Sequence, residues 1–210
     1  MIAFLLAAAT VAPRPISGPT AIDAERAFAA DAQKLGQWTA FRKWSTDDAR
    51  MFTPQPVTAH EFLAGKDNPP AALTWSPGQS MVSCDGGHAV NLGPWTSASG
   101  KAYGYFTTVW VRQPDRTWKW VYDGGDTLTK PLAAVARPAI RRATCTGKAL
   151  PLPKAAPLPT GFSGGQGESA DHTLHWTWTV SPKGARRFSA QLWNGSRFVP
   201  VVAQRIAAPE

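Results

Sequence analysis

From Trp118 to Asp126 the chain reads WKWVYDGGD, a run that mixes large aromatic side chains with carboxylates. Successive side chains of a β-strand point to opposite faces. Two tryptophans and Tyr122 therefore share one face, and a lysine, a valine and Asp123 share the other. Because lysine belongs in solvent, we expect Tyr122 to face the interior and Asp123 to face away. A β-bulge at Gly124–Gly125 would instead turn Asp123 inward.

Three more strand-like segments precede this run. LTWSPGQSMVSC, HAVNLGPWTS and AYGYFTTVWVRQ are rich in aromatic and β-branched residues, and the turn sequences DGG, ASGK and PDRT separate the segments. Strands joined by such short turns pair as antiparallel neighbours. The pattern predicts a four-stranded antiparallel meander that ends in the strand from Trp118.

Helical patterns come before the strands. Residues 20–44 are rich in alanine, with an apolar residue at every third or fourth position. Thr20 is placed to cap the first helix, and Gly36 to end it before a second one. In TAHEFLAG, Thr58 and Glu61 have the spacing of a capping box and predict a third helix. Helices followed by a run of strands are typical of the α+β class.

The rest of the chain divides at a proline- and glycine-rich segment. We predict a first domain over 20–147, with a short helix within 127–146, then a linker over 148–170. The clean alternation of HTLHWTWTV and the NGS turn predict a three-stranded antiparallel extension over 171–210. So small a meander is expected to lay its Trp176 and Trp178 face on the first domain.

Residues 1–19 start with MIAFLLAAATVAPRP, an apolar run with a small-residue cleavage pattern. The run is too short to span a bilayer, so we expect no transmembrane segment in the mature chain. We expect a periplasmic or secreted protein, with a cytoplasmic one as the alternative. Cys84 and Cys145 are an even pair that is compatible with one disulfide or with two buried thiols, and the sequence leaves both open.

The formal net charge is +8 and the isoelectric point about 9.9. The positive charges are spread along the chain, and no nucleic-acid-binding motif accompanies them. We expect a solvated basic face and no nucleic-acid partner.

The chain resembles the nuclear transport factor 2-like superfamily, also called SnoaL-like or ketosteroid-isomerase-like, and within it a branch of small uncharacterised bacterial proteins. The resemblance covers about residues 20–126. It rests on the alanine-rich first helix, Gly93–Trp95, the VWVRQPD motif of Val109–Asp115, and Trp118–Gly125. The extension at the C-terminus lies outside this pattern.

The resemblance implies a cone-like, strongly bent antiparallel sheet wrapped over the N-terminal helices, with a pocket at the wide end. Members include isomerases, dehydratases, cyclases and non-catalytic binders, so the fold does not decide the function. Isomerases of this fold use a pocket carboxylate as base with a tyrosine donor, which makes Asp123 and Tyr122 the catalytic candidates. The alternatives are a turn hydrogen bond for Asp123 and core packing for Tyr122. Candidate ligand-binding residues are Trp38, Trp75, Tyr103, Tyr105 and Trp120, each with core packing as its alternative.

No motif for a cofactor or a metal is found in the sequence. Fingerprints for phosphate, dinucleotide or a nucleophilic serine are absent, so we expect no cofactor. His172 and His175 lie on what is predicted to be one strand and would point to opposite faces, which is poor metal geometry. Asp47 and Asp48 follow a helix pattern and are expected to be turn or capping acids.

Three hypotheses for function follow. The first is non-catalytic binding of a small apolar or aromatic ligand, or of a protein partner, in the pocket. The second is an enzyme of the isomerase or dehydratase type. The third is a structural module whose pocket is filled, for example by Trp176 and Trp178. An open pocket that contains an acid favours the enzyme, and an open pocket without one favours the binder. By analogy with the superfamily, a homodimer is also expected.

Overall fold

The computed structural model describes residues 18–209. Within them the fold is α+β, as predicted from the sequence, and has three layers. A few helices cover one face of a large mixed sheet, and a separate antiparallel sheet covers its other face.

The helices form where their patterns predicted them. They are α1 Ala21–Leu35, α2 Gln37–Trp44 and α3 Ala59–Leu63. Thr20 caps α1, since its hydroxyl accepts the Asp23 amide at 3.2 Å and Asp23 reciprocates. Gly36 ends α1 with a φ of 93°, a left-handed value that glycine adopts without strain. At α3, Thr58 makes no side-chain cap bond, so the capping box predicted with Glu61 is wrong.

The large sheet contains eight strands. They are β1 Ser45–Phe52, β2 Pro56–Thr58, β3 Thr74–Trp75, β4 Gln79–Val82, β5 His88–Thr96, β6 Tyr103–Arg112, β7 Trp118–Thr127 and β8 Ala139–Arg142. Their order is β2-β1-β7-β6-β5-β4-β8, with β3 beside β5. The predicted meander is confirmed as β4 to β7. The pairs β1·β7 and β4·β8 are parallel, which makes the sheet mixed and not purely antiparallel.

Several sequence predictions fail around this sheet. Asp47 and Asp48 lie within β1 and not in a turn. The helix predicted within 127–146 is absent, and β8 forms there instead. The apolar residues that suggested that helix, Leu132, Val135 and Ile140, are exposed. Prolines at 131 and 138 remove the amide donors that a helix would need.

The second sheet has four strands and not the three predicted. They are β9 Ser163–Glu168, β10 Leu174–Val180, β11 Arg186–Trp193 and β12 Phe198–Ile206, in the order β12-β11-β10-β9. β9 lies in the glycine-rich linker, whose composition disfavours a strand. The glycines are needed because tryptophan rings of β10 lie over them. A Cβ at Gly165 or Gly167 would come within 2.7 Å of Trp178 or 2.4 Å of Trp176.

Each face of the large sheet has its own core. On the helix side, α1, α2 and α3 pack on residues that include Trp110, Trp118 and Trp120. On the other side, Val109 and Tyr122 pack against the second sheet. Trp176 and Trp178 lie in this second core, so the prediction that their face would lie on the first domain is confirmed.

Cys84 and Cys145 form a disulfide, the first of the two states that the sequence left open. It joins the turn after β4 to the chain just past β8, across a separation of 61 residues. No helix among residues 18–209 is long and apolar enough to cross a membrane. The apolar run predicted to direct export falls within residues 1–17, outside the described residues.

Candidate functional site

A β-bulge at Val121 decides which side chains of β7 reach which core. Opposite β6, Trp120 pairs with Trp110 and Tyr122 pairs with Val109, so Val121 is an extra residue in β7. Trp120 therefore faces the helices, whereas Tyr122 faces the second sheet. The prediction that both share one interior face is wrong.

The same bulge brings Asp123 to the helix side. Asp123 pairs with Thr108 across the strands, two positions from Trp110, whose ring lies in the helix-side core. The expectation that Asp123 faces away is therefore wrong. The inward turn was foreseen only for a bulge at Gly124–Gly125, and the extra residue comes three positions earlier.

Asp123 opens into a cavity of about 600 Å³. The wall is mostly aromatic, and at one end it becomes polar. It comprises Phe28, Phe41, Met51, Phe52, Pro54, Leu73, Trp75, Trp95, Tyr105, Phe106, Asp123, Gly124, Gly125, Asp126, Thr127, Gly184, Arg186 and the segment 206–209. A cavity of this size and composition suits a small, mostly apolar molecule with a few polar groups.

Within residues 18–209, one carboxyl oxygen of Asp123 has a hydrogen-bond partner and the other has none. The Thr108 hydroxyl donates to Oδ2 at 2.9 Å, and no hydrogen bond from residues 18–209 reaches Oδ1. Burial raises the pKa of Asp123 to about 7, although the Thr108 hydrogen bond and the Arg186 charge both act to lower it. Near neutral pH this carboxyl can therefore accept or give a proton.

Arg186 reaches the cavity from the second sheet. It is 8% exposed, its Nη2 donates to the Gly125 carbonyl at 2.5 Å, and its guanidinium carbon lies 4.4 Å from the centre of the Phe52 ring. The guanidinium thus ties β11 to the end of β7. The extension that sequence reasoning left without a role contributes a side chain to the site.

The backbones of β6 and β7 lie so close together near the end of β7 that Gly125 cannot carry a side chain. A Cβ on Gly125 would lie 2.1 Å from the Tyr105 carbonyl oxygen. A side chain at this position would push β7 away from β6 beside Asp123.

Glu25 is a buried acid that sequence reasoning missed. It is 0% exposed and accepts hydrogen bonds from the indoles of Trp75 and Trp110 and from the Asn91 amide, at 2.9, 2.6 and 3.3 Å. Burial raises its pKa to about 7, and the Asp123 charge adds to the rise. The signal was present in α1, where Glu25 lies three residues from both Ile22 and Phe28 on the apolar stripe.

The predicted ligand-binding residues divide into two groups. Trp75 and Tyr105 line the cavity. Trp38 packs on Phe41, Trp120 is fully buried in the helix-side core, and Tyr103 donates to the Thr129 carbonyl at 3.1 Å. The last three do not reach the cavity.

Tyr122 does not line the cavity, and its side chain lies on the face of β7 opposite to that of Asp123. Its ring is 4.6 Å from Phe188 and 5.1 Å from Phe52 between ring centres, and burial raises its pKa far above the usual range. The structure therefore separates the two predicted catalytic residues.

The histidine pair is also arranged differently from the prediction. His172 lies before β10 with a φ of 60°, and both His172 and His175 approach one oxygen of Glu168, at 2.9 and 3.3 Å. No group of three or more His, Cys, Asp or Glu side chains within residues 18–209 is placed to hold a metal ion.

No protein-family model matches the sequence, and no curated protein matches it. The arguments for function therefore rest on the residues of this chain.

Proposed function

We propose that the cavity at the end of β7 binds a small, largely apolar ligand with one polar group placed against Asp123. The observation that carries this proposal is the free Asp123 Oδ1 inside an aromatic-walled cavity of about 600 Å³. Aromatic walls supply most of the binding free energy for such ligands, and the few polar groups fix their orientation.

The cavity is not occupied by the chain's own tryptophans. Trp176 and Trp178 pack in the core between the two sheets, and neither lines the cavity. This placement favours the ligand hypothesis over that of a structural module whose pocket is filled.

A neutral fluorescent probe, N-phenyl-1-naphthylamine, tests the proposal. We expect saturable fluorescence enhancement with the wild-type protein and a loss of at least about tenfold in affinity for Leu73→Trp, which fills the cavity. Leu150→Trp is the matched control, because Leu150 is 62% exposed and lies outside the cavity. Equal binding by wild type and Leu73→Trp would contradict the proposal.

Native mass spectrometry addresses the ligand itself. Freshly purified wild-type protein is expected to carry a mass adduct that Leu73→Trp lacks and Leu150→Trp keeps. The adduct would then supply the mass of a natural ligand.

A second candidate is proton transfer at carbon, as in an isomerase or dehydratase. The observation that favours it is an acid with a pKa of about 7 inside an open cavity. A general base works best when its pKa lies close to the operating pH. Because Tyr122 does not line the cavity, this proposal gives the role of base to Asp123 without the tyrosine.

Deuterium exchange tests this second candidate. A panel of enolisable aryl ketones is incubated with the protein in D₂O, and exchange next to the carbonyl is followed by NMR. We expect Asp123→Asn to lose about 100-fold in exchange rate. Asp47→Asn, which removes an exposed carboxylate on β1, is expected to retain the wild-type rate. No exchange above the rate in buffer would leave binding alone as the function.

Membership of the nuclear transport factor 2-like superfamily and export from the cytoplasm belong to the same proposal. Support for membership comes from the helices on one face of the large sheet and the cavity between them. The Cys84–Cys145 disulfide favours an oxidising compartment, periplasmic or extracellular. Cell fractionation of the expressed full chain tests the location. The homodimer stays a prediction.

A further inference from the structure

Glu25 and Asp123 are held by neighbouring positions of one strand. Trp110 donates to Glu25 and Thr108 donates to Asp123, and both donors lie on the helix-side face of β6. The two donors are two residues, about 7 Å, apart along the strand, and the Asp123 charge contributes to the raised pKa of Glu25. In a poorly solvated interior two negative charges repel more strongly than they do in water.

Within the described part of the chain, the surroundings of the pair contain donors but no directly paired cation. Glu25 faces Trp75 on β3, Asn91 on β5 and Trp110 on β6, all of them neutral. Neither carboxyl belongs to an ion pair with any cation among residues 18–209. Arg186 from β11 acts on Asp123 across the cavity but is bonded to the Gly125 carbonyl.

Trp75 connects Glu25 to the cavity. Its indole N–H is held by Glu25 Oε1 at 2.9 Å, and its ring forms part of the cavity wall. The ring also packs edge-on against Phe28, with 4.8 Å between ring centres. Any change in the charge of Glu25 is therefore felt by a residue that contacts the proposed ligand.

We propose that Glu25 is a positioning residue for the cavity, which orients Trp75 in the wall and shares one negative charge with Asp123. When Glu25 is ionised, its charge keeps the proton on Asp123, and Asp123 then presents an O–H donor to the ligand. When Glu25 is protonated, Asp123 is free to ionise and acts as an acceptor. The inference rests on the proposed ligand cavity and adds to it the protonation state of Asp123 when a ligand binds.

This coupling favours one class of ligand. A neutral molecule with a carbonyl or other acceptor oxygen can take a hydrogen bond from protonated Asp123. A free carboxylate would add a third negative charge beside the pair and is disfavoured. Neutral aryl ketones are thus expected to bind more tightly than aryl carboxylates of matched size.

The indole N–H signals of Trp75 and Trp110 in proton–nitrogen NMR spectra test the coupling. In the wild-type protein we expect both to move with a midpoint near pH 7, in line with the raised pKa of Glu25. In Asp123→Asn the midpoint is expected to fall by about one pH unit, because one of the two repelling charges is gone. A merely structural Glu25 would show no such displacement.

Two glutamine variants complete the test. Glu25→Gln is expected to abolish the titration of both indoles, whereas Glu61→Gln, an exposed glutamate on α3, is expected to leave it unchanged. If Glu25→Gln does not fold, the Asp123→Asn midpoint still decides the question. An unchanged midpoint in Asp123→Asn, or indoles that do not titrate between about pH 5 and about pH 9, would overturn the coupling. Binding of the neutral probe is measured separately, so loss of the coupling and loss of the cavity are distinguishable.

Discussion

The same strands contribute side chains to two different environments, one on each face of the large sheet. On the side of the second sheet, Tyr122, Val109 and their neighbours form a packed core, and among residues 18–209 no buried carboxylate lies in it. On the helix side, the tryptophans surround a buried glutamate, and an aspartate opens into a cavity. A single extra residue, Val121, separates the two arrangements along β7. One bulge thus decides whether an acid lies in a dry core or in a cavity.

Placing a carboxylate on the other face is the most severe way to break this comparison. Tyr122→Asp would put an unpaired carboxylate into the packed core between the sheets, one residue from Asp123 but on the opposite face of β7. We expect it to cost at least about 4 kcal/mol of unfolding free energy, measured by urea denaturation. Ala156→Asp, in an exposed segment without strand structure, is the control and should cost much less. A tolerated Tyr122→Asp would show that the two faces of β7 do not differ as described.

Truncation of a phenylalanine to alanine should lower the free energy of unfolding by different amounts on the two faces. Phe188→Ala empties space in the closed core beside Tyr122, and we expect a loss of about 4 kcal/mol. Phe106→Ala enlarges a cavity that already exists, so a loss of about 2 kcal/mol is expected. Urea denaturation of both variants checks the difference, and equal losses would mean that the cavity beside Phe106 is closed in solution.

The free energy of unfolding should depend on pH through Glu25, the fully buried acid on the helix side. The pKa of Glu25 is raised in the folded state from 4.5 to about 7, so its contribution is fully present below pH 4.5 and is lost as the pH rises through about 7. Between about pH 5.5 and about pH 8.5 this loss is on the order of 2 kcal/mol.

Glu25→Gln should remove this part of the pH dependence. Urea denaturation of wild type and variant at the two pH values gives the difference directly. The comparison also cancels the half-buried His88, whose lowered pKa acts in the opposite direction at acidic pH. Parallel pH profiles for the two proteins would show that Glu25 ionises normally.

The smallest effects come from two adjacent threonines that point to opposite faces. Thr108 donates to Asp123, and Thr107 forms a hydrogen bond with Gln204 of the second sheet. Valine at either position should cost about 1 kcal/mol, the typical contribution of one hydrogen bond. Thr108→Val should also raise the pKa of Asp123 further, because the lost bond lowered it, whereas Thr107→Val should leave that pKa unchanged. Carbon-13 NMR of the Asp123 carboxyl distinguishes the two.

The sequence allowed much of the scaffold to be predicted because its signals are local. Thr20 and Gly36 mark the ends of a helix, and tight turns between aromatic strands define the meander. The side of the sheet that Asp123 faces could not be predicted by alternation, since a bulge reverses it and Val121 carries no bulge signature of its own. β9 was missed because its glycines are required by the rings of Trp176 and Trp178, which lie over them. These contacts join different strands and cannot be read from the local sequence. Glu25 could have been found as an acid on the apolar stripe of α1.

The titration of the Asp123 side-chain carboxyl tests the central claim most directly. With carbon-13-labelled aspartate and Asp123→Asn for assignment, the carboxyl signal is followed from acidic to alkaline pH in wild type and in Leu73→Trp. We expect a midpoint near pH 7 in the wild-type protein, a response of the signal to N-phenyl-1-naphthylamine, and no response in Leu73→Trp. A midpoint near the ordinary aspartate value of 3.8, with no response to the probe, would place Asp123 in solvent and contradict the account.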